Sequence, residues 1–279
     1  VLLESNLWHH YIYSQIIIAN QKIPYEKVKL NSTPETLKLS TFDLSFFLKK
    51  LVGRAFGLVP FRFNKTIFIS TNFSKWDLIK LQISLNQFPY FCFSEINIEE
   101  IPIKSEMRKE LEIDQACNEF EIILEKLIQS NIPKLYVELY PEFRKRTLKQ
   151  FPKKASTIVT THGYWAEDGA KLWIAEKKEQ GSNLVISQHG GLFGSALIEQ
   201  SEEHQIKISD RYFTWGWKDK NNKNIRPLPA INLSPKKIKF IKQNDNGHIL
   251  WIHGSDFSRY FKRMHSIPAG PQCLGYIQD

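Results

Sequence analysis

The clearest pattern of apolar and polar segments lies between residues 155 and 217. Residues 155–161 and 183–188 are short, β-branched apolar runs, a pattern typical of strands buried in a parallel sheet. Between them, Asp168 can cap a helical segment that Gly181 ends. Because a crossover of this length suits parallel strands, we predict a β–α–β unit here.

The same kind of unit recurs on both sides of this segment. Downstream, glycines lead into a predicted helix over residues 195–208, and a third strand follows over 210–217. Upstream, residues 66–71 alternate like a strand, and Asn72 opens a run of turn and capping residues before a predicted helix over 77–88. The repeated order of strand and helix predicts an α/β fold with a parallel, Rossmann-like sheet.

The remaining elements ahead of this region are predicted helices. An apolar stripe opposite charged residues predicts a helix over residues 114–130, with Pro133 beyond its end. Residues 11–21 form a weaker helical pattern. Residues 135–152 predict a short extended segment and then a basic helix that Pro152 closes.

A polar segment containing several prolines, residues 218–245, is the one convincing domain boundary. It separates a predicted first domain, residues 1–217, from a strand at 248–254 that would open a second domain over residues 246–279. Because residues 246–279 are too few for a whole domain of this kind, we predict that the second domain is truncated. The chain begins at Val1 rather than at a methionine and stops without a helix end, which is typical of an internal fragment.

Composition narrows the class of protein. Apolar residues make up 42% of the 279 positions and charged residues 24%, which is typical of a globular protein with a sizeable core. The apolar run at residues 16–19 is far shorter than the ~20 residues that cross a bilayer. Three cysteines without metal-type spacing argue against a disulfide framework or zinc site and favour a reducing compartment. We therefore expect a cytoplasmic protein.

The net charge of +9 adds a second constraint. Basic residues cluster within 143–154, 236–242 and 259–263, where they either form solvated faces or contact an anionic membrane or phosphorylated substrates. Nucleic acid is not an expected partner, because no recognised motif interleaves aromatic and basic residues on one element. The charge thus permits peripheral contact with the inner membrane face.

Three predicted strands end in histidine, glycine or aromatic residues, at the edge where parallel α/β sheets bind ligands. After one strand, His189 is followed by Gly190 and Gly191, whose backbone N–H groups can approach a phosphate closely. The predicted helix beyond them would direct its positive end to the same place. In the alternative interpretation these glycines only make a turn, and His189 packs at the sheet edge.

Carboxylates supply further candidates for acid–base chemistry. Glu199 and Glu202 lie three residues apart and therefore share a helix face, and Glu199 is about one turn from the glycines. A carboxylate or histidine within hydrogen-bond reach can take the proton of a sugar hydroxyl. Asp210 adds a carboxylate near the site, whereas Glu203 is expected on a solvated face.

The aromatic and arginine candidates each have two interpretations. Trp165, Trp215 and Trp217 either stack on a sugar or base ring or pack in the core. Arg259, with Tyr260 beside it, either binds phosphate through its planar guanidinium or lies on a helix surface. The residues alone leave both alternatives open.

The segments "TTHGYW" (160–165), "SQHGGLFG" (187–194), "SDRYFTWGW" (209–217) and "ILWIHGSDFSRYF" (249–261) resemble a family of transferases. The genes of that family accompany bacterial surface-polysaccharide and O-antigen genes. Its members look like GT-B glycosyltransferases and are distantly similar to capsule Kdo or sialic-acid-like transferases. The resemblance is strongest over residues 155–265.

The resemblance implies two Rossmann-like domains facing a cleft, with the acceptor mainly on the first and a sugar nucleotide mainly on the second. It implies no metal and no other cofactor, because helix N-termini and basic side chains hold the nucleotide phosphates. The positions that match the family pattern are His162, His189, Gly190, Gly191, Gly194, Glu199, Asp210, Trp215, Gly216, Trp217, Arg259 and Tyr260. His189 or Glu199 is the predicted catalytic base, and we expect the others except Gly216, together with Trp165, to bind substrate.

The predicted function is therefore transfer of a sugar from a nucleotide-activated donor to a bacterial surface polysaccharide or lipid-linked glycan. Two alternatives remain. One is a polyol-phosphate transferase of the teichoic-acid type, which would use a CDP-polyol rather than a sugar nucleotide. The other is a non-catalytic scaffold of a glycan-assembly complex, in which the histidines at the strand ends serve only packing.

Overall fold

The computed structural model describes residues 6–20, 22–26, 63–92, 96, 102, 104–111, 117–165, 167–196 and 199–231. These residues form an α/β structure with a five-stranded parallel sheet, so the α/β class and the parallel sheet of the prediction are confirmed. The chain divides into two units. One comprises Val1–Glu35, Pro102–Glu138 and Phe240–Asp279, and the other comprises Thr36–Ile101 and Leu139–Lys239.

The second unit contains the sheet. Its strands are β1 (Thr66–Ile69), β2 (Thr157–Thr160), β3 (Asn183–Ser187), β4 (Arg211–Trp215) and β5 (Ile225–Leu228). The described helices of the whole chain are α1 (Asn6–Asn20), α2 (Lys75–Ser84), α3 (Ser105–Lys109), α4 (Glu119–Asn131), α5 (Tyr140–Gln150), α6 (Asp168–Glu179) and α7 (Gln200–Ile208). A 3₁₀ turn, Lys134–Tyr136, precedes α5.

The order of strands in the sheet is the same as their order in the chain, β1-β2-β3-β4-β5. Every pairing is parallel, so all five strands point their carboxyl ends to one edge. This edge gathers the segments that follow the strands, although they are far apart in the sequence. The sheet therefore brings the candidate residues after β2, β3 and β4 to one side of the molecule.

One register row shows where the core lies. Ile69, Thr160, Ile186, Tyr212 and Ile225 stand side by side across the five strands. All five are buried, and the apolar members belong to a single core cluster. Helix α6 covers this face of the sheet with apolar residues that include the fully buried Trp173. Burial of this row fixes the register on which the positions of the strand ends depend.

The elements predicted most closely are those with an unambiguous apolar run. Strands β2 and β3 form within the predicted segments. Helix α6 ends before Gly181 as predicted, but Asp168 is its first residue rather than its cap, which is Glu167. Helix α2 begins two residues before its predicted start, because the Ser74 hydroxyl caps it by accepting from the Asp77 N–H at 3.1 Å. It also ends earlier than predicted, and Asn86 just beyond it takes a left-handed φ of 54°.

Strand β5 lies inside the segment 218–245 that the sequence predicts as a linker. Its proline, Pro227, pairs with Thr214 of β4, and most of the strand is exposed. Proline is tolerated at the edge of a sheet because an edge strand has N–H groups that no neighbour needs. The polar and proline-rich composition of residues 218–245 is therefore compatible with an edge strand as well as with a linker. The predicted second domain, residues 246–279, lies outside the described residues.

In the other unit, a buried ion pair joins α3 to the residues after α4. The Arg108 guanidinium donates to both carboxylate oxygens of Glu138, at 2.6 and 3.0 Å, and also to the Gln129 carbonyl at 2.8 Å. The two hydrogen bonds from Arg108 to Glu138 lower the pKa of Glu138 to about 2. Helix α4 begins at Glu119 behind its cap Asn118, and therefore later than predicted.

Among the residues that the structure describes, no helix combines the length and the apolar character needed to cross a membrane.

Truncation of Trp173 tests the packing of α6 on the sheet. The ring stacks on Phe151 at a centroid distance of 5.5 Å, and its N–H donates to the Pro152 carbonyl at 2.9 Å. We expect Trp173→Ala to lower the free energy of unfolding by ~3–5 kcal/mol, as for other large buried aromatics. Urea denaturation measures this loss. The matched control is Trp76→Ala, at a position that is 73% exposed, which should change stability by less than ~0.5 kcal/mol. Similar losses in both variants would contradict the described packing.

Candidate active site

The candidate site lies where β1 to β4 end. After β2 the chain carries His162 and Trp165, after β3 it carries His189, and after β4 it carries Trp217. The structure brings the two histidines into direct contact, with ring centroids 4.8 Å apart. Trp165 lies beside both, with centroid distances of 6.4 Å to His162 and 6.3 Å to His189. The ends of neighbouring strands thus bring three rings together. We call this group of His162, His189 and Trp165 the imidazole cluster.

The imidazole cluster is only partly covered. Trp165 is 40% exposed, and both histidines are partly buried. The His189 ring also contacts the buried Phe193, at a centroid distance of 4.7 Å and an interplanar angle of 76°. One side of the cluster is therefore packed against the protein, whereas the Trp165 ring is exposed. Burial lowers the pKa of His162, while the charge of Glu167 acts in the opposite direction.

The buried amide of Gln188, which immediately precedes His189, organises the two loops around the cluster. Its Nε2 donates to the carbonyls of Gly190 at 2.7 Å and Phe193 at 3.3 Å. Its Oε1 accepts from the backbone N–H of Trp215 at 2.8 Å and from the indole N–H of Trp217 at 3.0 Å. A single side chain thus ties the glycine loop, residues 190–194, to the end of β4.

The two predicted tryptophans at the end of β4 meet Gln188 differently, Trp215 through its backbone N–H and Trp217 through its indole. Trp217 packs against the core cluster and lies 6.2 Å from the Tyr212 ring. Its indole N–H is satisfied by Gln188. Gly216 takes a φ of 99°, which breaks the strand alternation that would have placed both tryptophans on one face. For Trp217, packing is the interpretation that the contacts support.

The glycine loop is closed by a tight approach at Gly194. This residue has a φ of 77°, and a Cβ placed on it would overlap the indole of Trp217. Its N–H donates to the Glu202 carboxylate at 2.7 Å. Gly191, by contrast, has no atom within 4 Å of the corresponding Cβ position. The loop is thus anchored at Gly194 and open at Gly191.

The helix after the glycine loop starts later than predicted. Residues 191–195 form turns, and α7 begins at Gln200 with Glu199 as its N-cap. The Glu199 carboxylate accepts from the Ser201 N–H at 3.1 Å, and the residue is only 4% exposed. The Glu199 carboxylate therefore occupies the positive N-terminus of α7, the position that the sequence predicts for a ligand phosphate. This placement favours a histidine over Glu199 as the base.

A layer of buried acids lies beneath the loop. Glu202 accepts from the Tyr212 hydroxyl at 3.2 Å as well as from the Gly194 N–H. Burial raises the pKa of Glu202, although these two hydrogen bonds lower it, and the charge of Glu199 raises it further. Burial also raises the pKa of Tyr164 to about 12 and that of Tyr212 above its usual range. The sequence singled out Glu202 as a carboxylate near the site but did not show that it holds the loop.

The remaining predicted residues do not join the cluster. Asp210 precedes β4 and therefore lies at the opposite, amino-terminal edge of the sheet. There it forms an ion pair with Lys178 and accepts from the Leu184 N–H at 2.7 Å. These contacts give Asp210 a structural role at that edge. Arg259 and Tyr260 lie outside the described residues.

Two residues after β1 belong to the site and were missed from the sequence. Asn72 Oδ1 lies 3.0 Å from Nε2 of His162. The Ser70 carbonyl accepts from the N–H groups of Thr161 and His162, at 3.1 and 3.0 Å. In the sequence Asn72 looks like an ordinary turn former, and Ser70 falls inside the strand predicted over residues 66–71. The available signal was the position of Asn72 directly after a strand, the same criterion that selected His162 and His189.

Within the described part of the chain, no three or more His, Cys, Asp and Glu side chains form a group that could hold a metal ion.

Comparison with known families identifies the family of the chain. A model of the LIC12162 family transferases matches residues 2–279. The chain belongs to this family. No curated protein and no solved structure matches the chain significantly.

Membership gives the strand-end cluster a chemical context. A transferase has to bind a donor and an acceptor and to move a group between them. The described site offers two histidines for proton transfer, an exposed aromatic ring and an open glycine loop. For this LIC12162 family member, we therefore place the candidate active site at the carboxyl ends of β1 to β4.

The glycine loop provides a matched pair of substitutions. Gly194→Ala places a Cβ against the Trp217 indole and imposes a left-handed backbone that costs an L-residue ~1–2 kcal/mol. We expect a clear loss of stability in thermal or urea unfolding, together with a change in tryptophan fluorescence. Gly191→Ala meets no neighbouring atom and should keep the wild-type values. Equal behaviour of the two variants would contradict the described loop.

Glu202 predicts a pH dependence of stability. The pKa of Glu202 is raised in the native state, so the protonated carboxyl stabilises the fold fully below the unfolded-state pKa of ~4.3. This stabilisation is lost as the pH rises through the native-state pKa. Glu202→Gln does not titrate, and its amide can still accept from Gly194 and donate to Tyr212. The free energy of unfolding, measured from pH 4 to 8, should therefore change in favour of the variant as the pH rises. Glu203→Gln, on the exposed side of α7, is the control for the loss of a carboxylate from the same helical turn. A difference between Glu202→Gln and wild type that stays constant with pH would rule out this role.

Proposed function

We propose that the protein transfers a sugar from a nucleotide-activated donor to a bacterial surface polysaccharide or a lipid-linked glycan. The observation that carries the proposal is the contact of His162 with His189, 4.8 Å apart, at the carboxyl edge of a parallel sheet in a transferase family member. This is the edge at which open α/β sheets bind nucleotides and similar ligands.

Sugar transfer to a hydroxyl group needs a base, and the imidazole cluster supplies candidates. Desolvation lowers the pKa of His162, so its ring is neutral and able to accept a proton at neutral pH. Acid–base assistance of this kind contributes about 10²–10⁴-fold to a rate. Glu199 is less suited to this role, because its carboxylate is buried and caps α7.

The surroundings of the cluster suit a sugar and its phosphate. The Trp165 ring is 40% exposed next to the histidines, and exposed aromatic faces stack on sugar rings. The open position at Gly191 leaves room for a phosphate near backbone N–H groups. The net charge of +9 favours phosphorylated donors and acceptors at an anionic membrane surface. These features support a sugar nucleotide as donor.

The proposal includes a GT-B arrangement, in which a second Rossmann-like domain binds most of the donor nucleotide. Residues 246–279 would begin that domain, and Arg259 and Tyr260 would contact donor phosphate. The expectation rests on the family resemblance of the sequence. No metal is invoked, because the resemblance assigns the nucleotide phosphates to helix N-termini and basic side chains.

A donor screen with the full-length protein tests the proposal. Thermal unfolding is measured with UDP-, GDP-, dTDP-, CMP- and CDP-linked donors, for wild type and for His189→Ala. A donor at ~100 times its dissociation constant stabilises the protein by ~2.7 kcal/mol, so one nucleotide class should raise the melting temperature. His189→Ala should retain most of that shift while turnover falls, because the variant removes the ring that contacts His162. His204→Ala, which changes an exposed histidine on α7, is the matched control and should keep wild-type turnover.

The other outcomes identify the alternatives. A shift and turnover with CDP-polyols alone would replace sugar transfer by polyol-phosphate transfer. If no donor class shifts the melting temperature and His189→Ala leaves glycan production unchanged, the protein is a scaffold rather than an enzyme.

A further inference from the structure

The orientation of the His162 ring is set by Asn72. The amide oxygen of Asn72 lies 3.0 Å from Nε2 of His162, and an amide oxygen can only accept a hydrogen bond. This contact favours the tautomer that carries its hydrogen on Nε2. In the neutral ring the lone pair then belongs to Nδ1, which is left to act on a ligand. The contact with Asn72 selects the tautomer as well as the direction of the ring.

The backbone of His162 is held equally firmly by the end of β1. The N–H groups of Thr161 and His162 both donate to the Ser70 carbonyl. Ser70 itself has a left-handed φ of 49°, and its hydroxyl donates to the Glu167 carboxylate at 2.5 Å. Left-handed backbone at a residue other than glycine costs ~1–3 kcal/mol and persists only where the surrounding contacts enforce it. The strained turn at Ser70 thus serves to place His162.

The groups that face His162 determine its protonation. Asn72 faces it from the end of β1, His189 from the end of β3, and Trp165 and Glu167 from its own loop. Asn72 and Trp165 carry no charge, and a protonated His189 would oppose a second charge beside it. Only Glu167 favours the charged ring, and burial outweighs it, so the pKa of His162 lies below its ordinary value.

We propose that His162 takes the proton of the acceptor hydroxyl and that Asn72 is the positioning residue that holds its ring for this step. The inference rests on the proposed sugar transfer. The hydroxyl proton passes to Nδ1 of His162 while the acceptor oxygen bonds to the anomeric carbon of the sugar. The bond from that carbon to the donor phosphate breaks, and the electron pair leaves with the nucleotide. The imidazolium then releases its proton to solvent.

Asn72→Asp and Asn72→Leu distinguish this role from simple packing. Asp keeps an acceptor oxygen but adds a negative charge beside the ring, which should raise the pKa of His162 by ~1 pH unit or more. The acidic limb of the profile of kcat against pH should move upward by the same amount. Leu removes the acceptor, and kcat should fall ~10-fold or more while KM for the donor changes little. Asn183→Asp adds the same charge at the exposed amino end of β3 and serves as control, with the wild-type pH profile.

Nitrogen NMR of the histidine rings in the full-length protein reads the same geometry without substrate. The His162 signals are assigned by their loss in His162→Asn. We expect the tautomer protonated at Nε2 in wild type and in Asn72→Asp, and a mixture of tautomers in Asn72→Leu. A ring protonated at Nδ1 in wild type would overturn the proposal.

The kinetic and NMR results together separate this inference from the proposed function. If wild type transfers sugar but its acidic limb does not follow the His162 pKa in Asn72→Asp, another group takes the proton and this inference fails alone. If wild type transfers sugar from no donor, the proposed function fails and the assignment of His162 falls with it, whatever tautomer the ring shows.

Discussion

The buried side chain of Gln188 is the contact on which the candidate site depends. It donates to the glycine loop and accepts from two groups at the end of β4. A side chain that is 3% exposed satisfies its amide only if both loops keep their places. Because His189 is the next residue, the same hydrogen bonds set the point from which its ring extends toward His162. An unsatisfied buried amide costs ~1–3 kcal/mol, so the arrangement resists loosening.

Around this contact, the site has two layers with different chemistry. The outer layer contains the partly buried His162 and His189 and the exposed Trp165. The inner layer contains Glu199, whose carboxylate caps the N-terminus of α7, and Glu202, whose carboxylate accepts from the Gly194 N–H. The acids therefore shape the loop. This division supports the proposal that a histidine, rather than a carboxylate close in sequence to the glycines, is the base.

The sequence predicts the scaffold of the site well because parallel strands need local apolar runs. The segments of β2 and β3 show such runs, so the meeting of His162 and His189 at one edge follows from the pattern alone. Other features depend on contacts between distant segments. The start of α7 follows from the turn at Gly194 and its fit against Trp217, 23 residues away in number. The sequence indicates only a turn at Asn72, and its contact with His162 follows from the fold. Pro227 makes the segment of β5 resemble a linker, although the residue pairs with β4.

The central claim is that substrate binds at the carboxyl ends of β1 to β4, and backbone hydrogen exchange tests it most directly. Exchange in the full-length protein is followed by mass spectrometry, with and without the nucleotide donor that gives the largest thermal shift. Protection is predicted in segments 70–72, 162–165 and 188–195, and none at the amino-terminal edge around Asp210 and Leu184. Protection at that opposite edge, with unchanged exchange in the three predicted segments, would contradict the placement of the site.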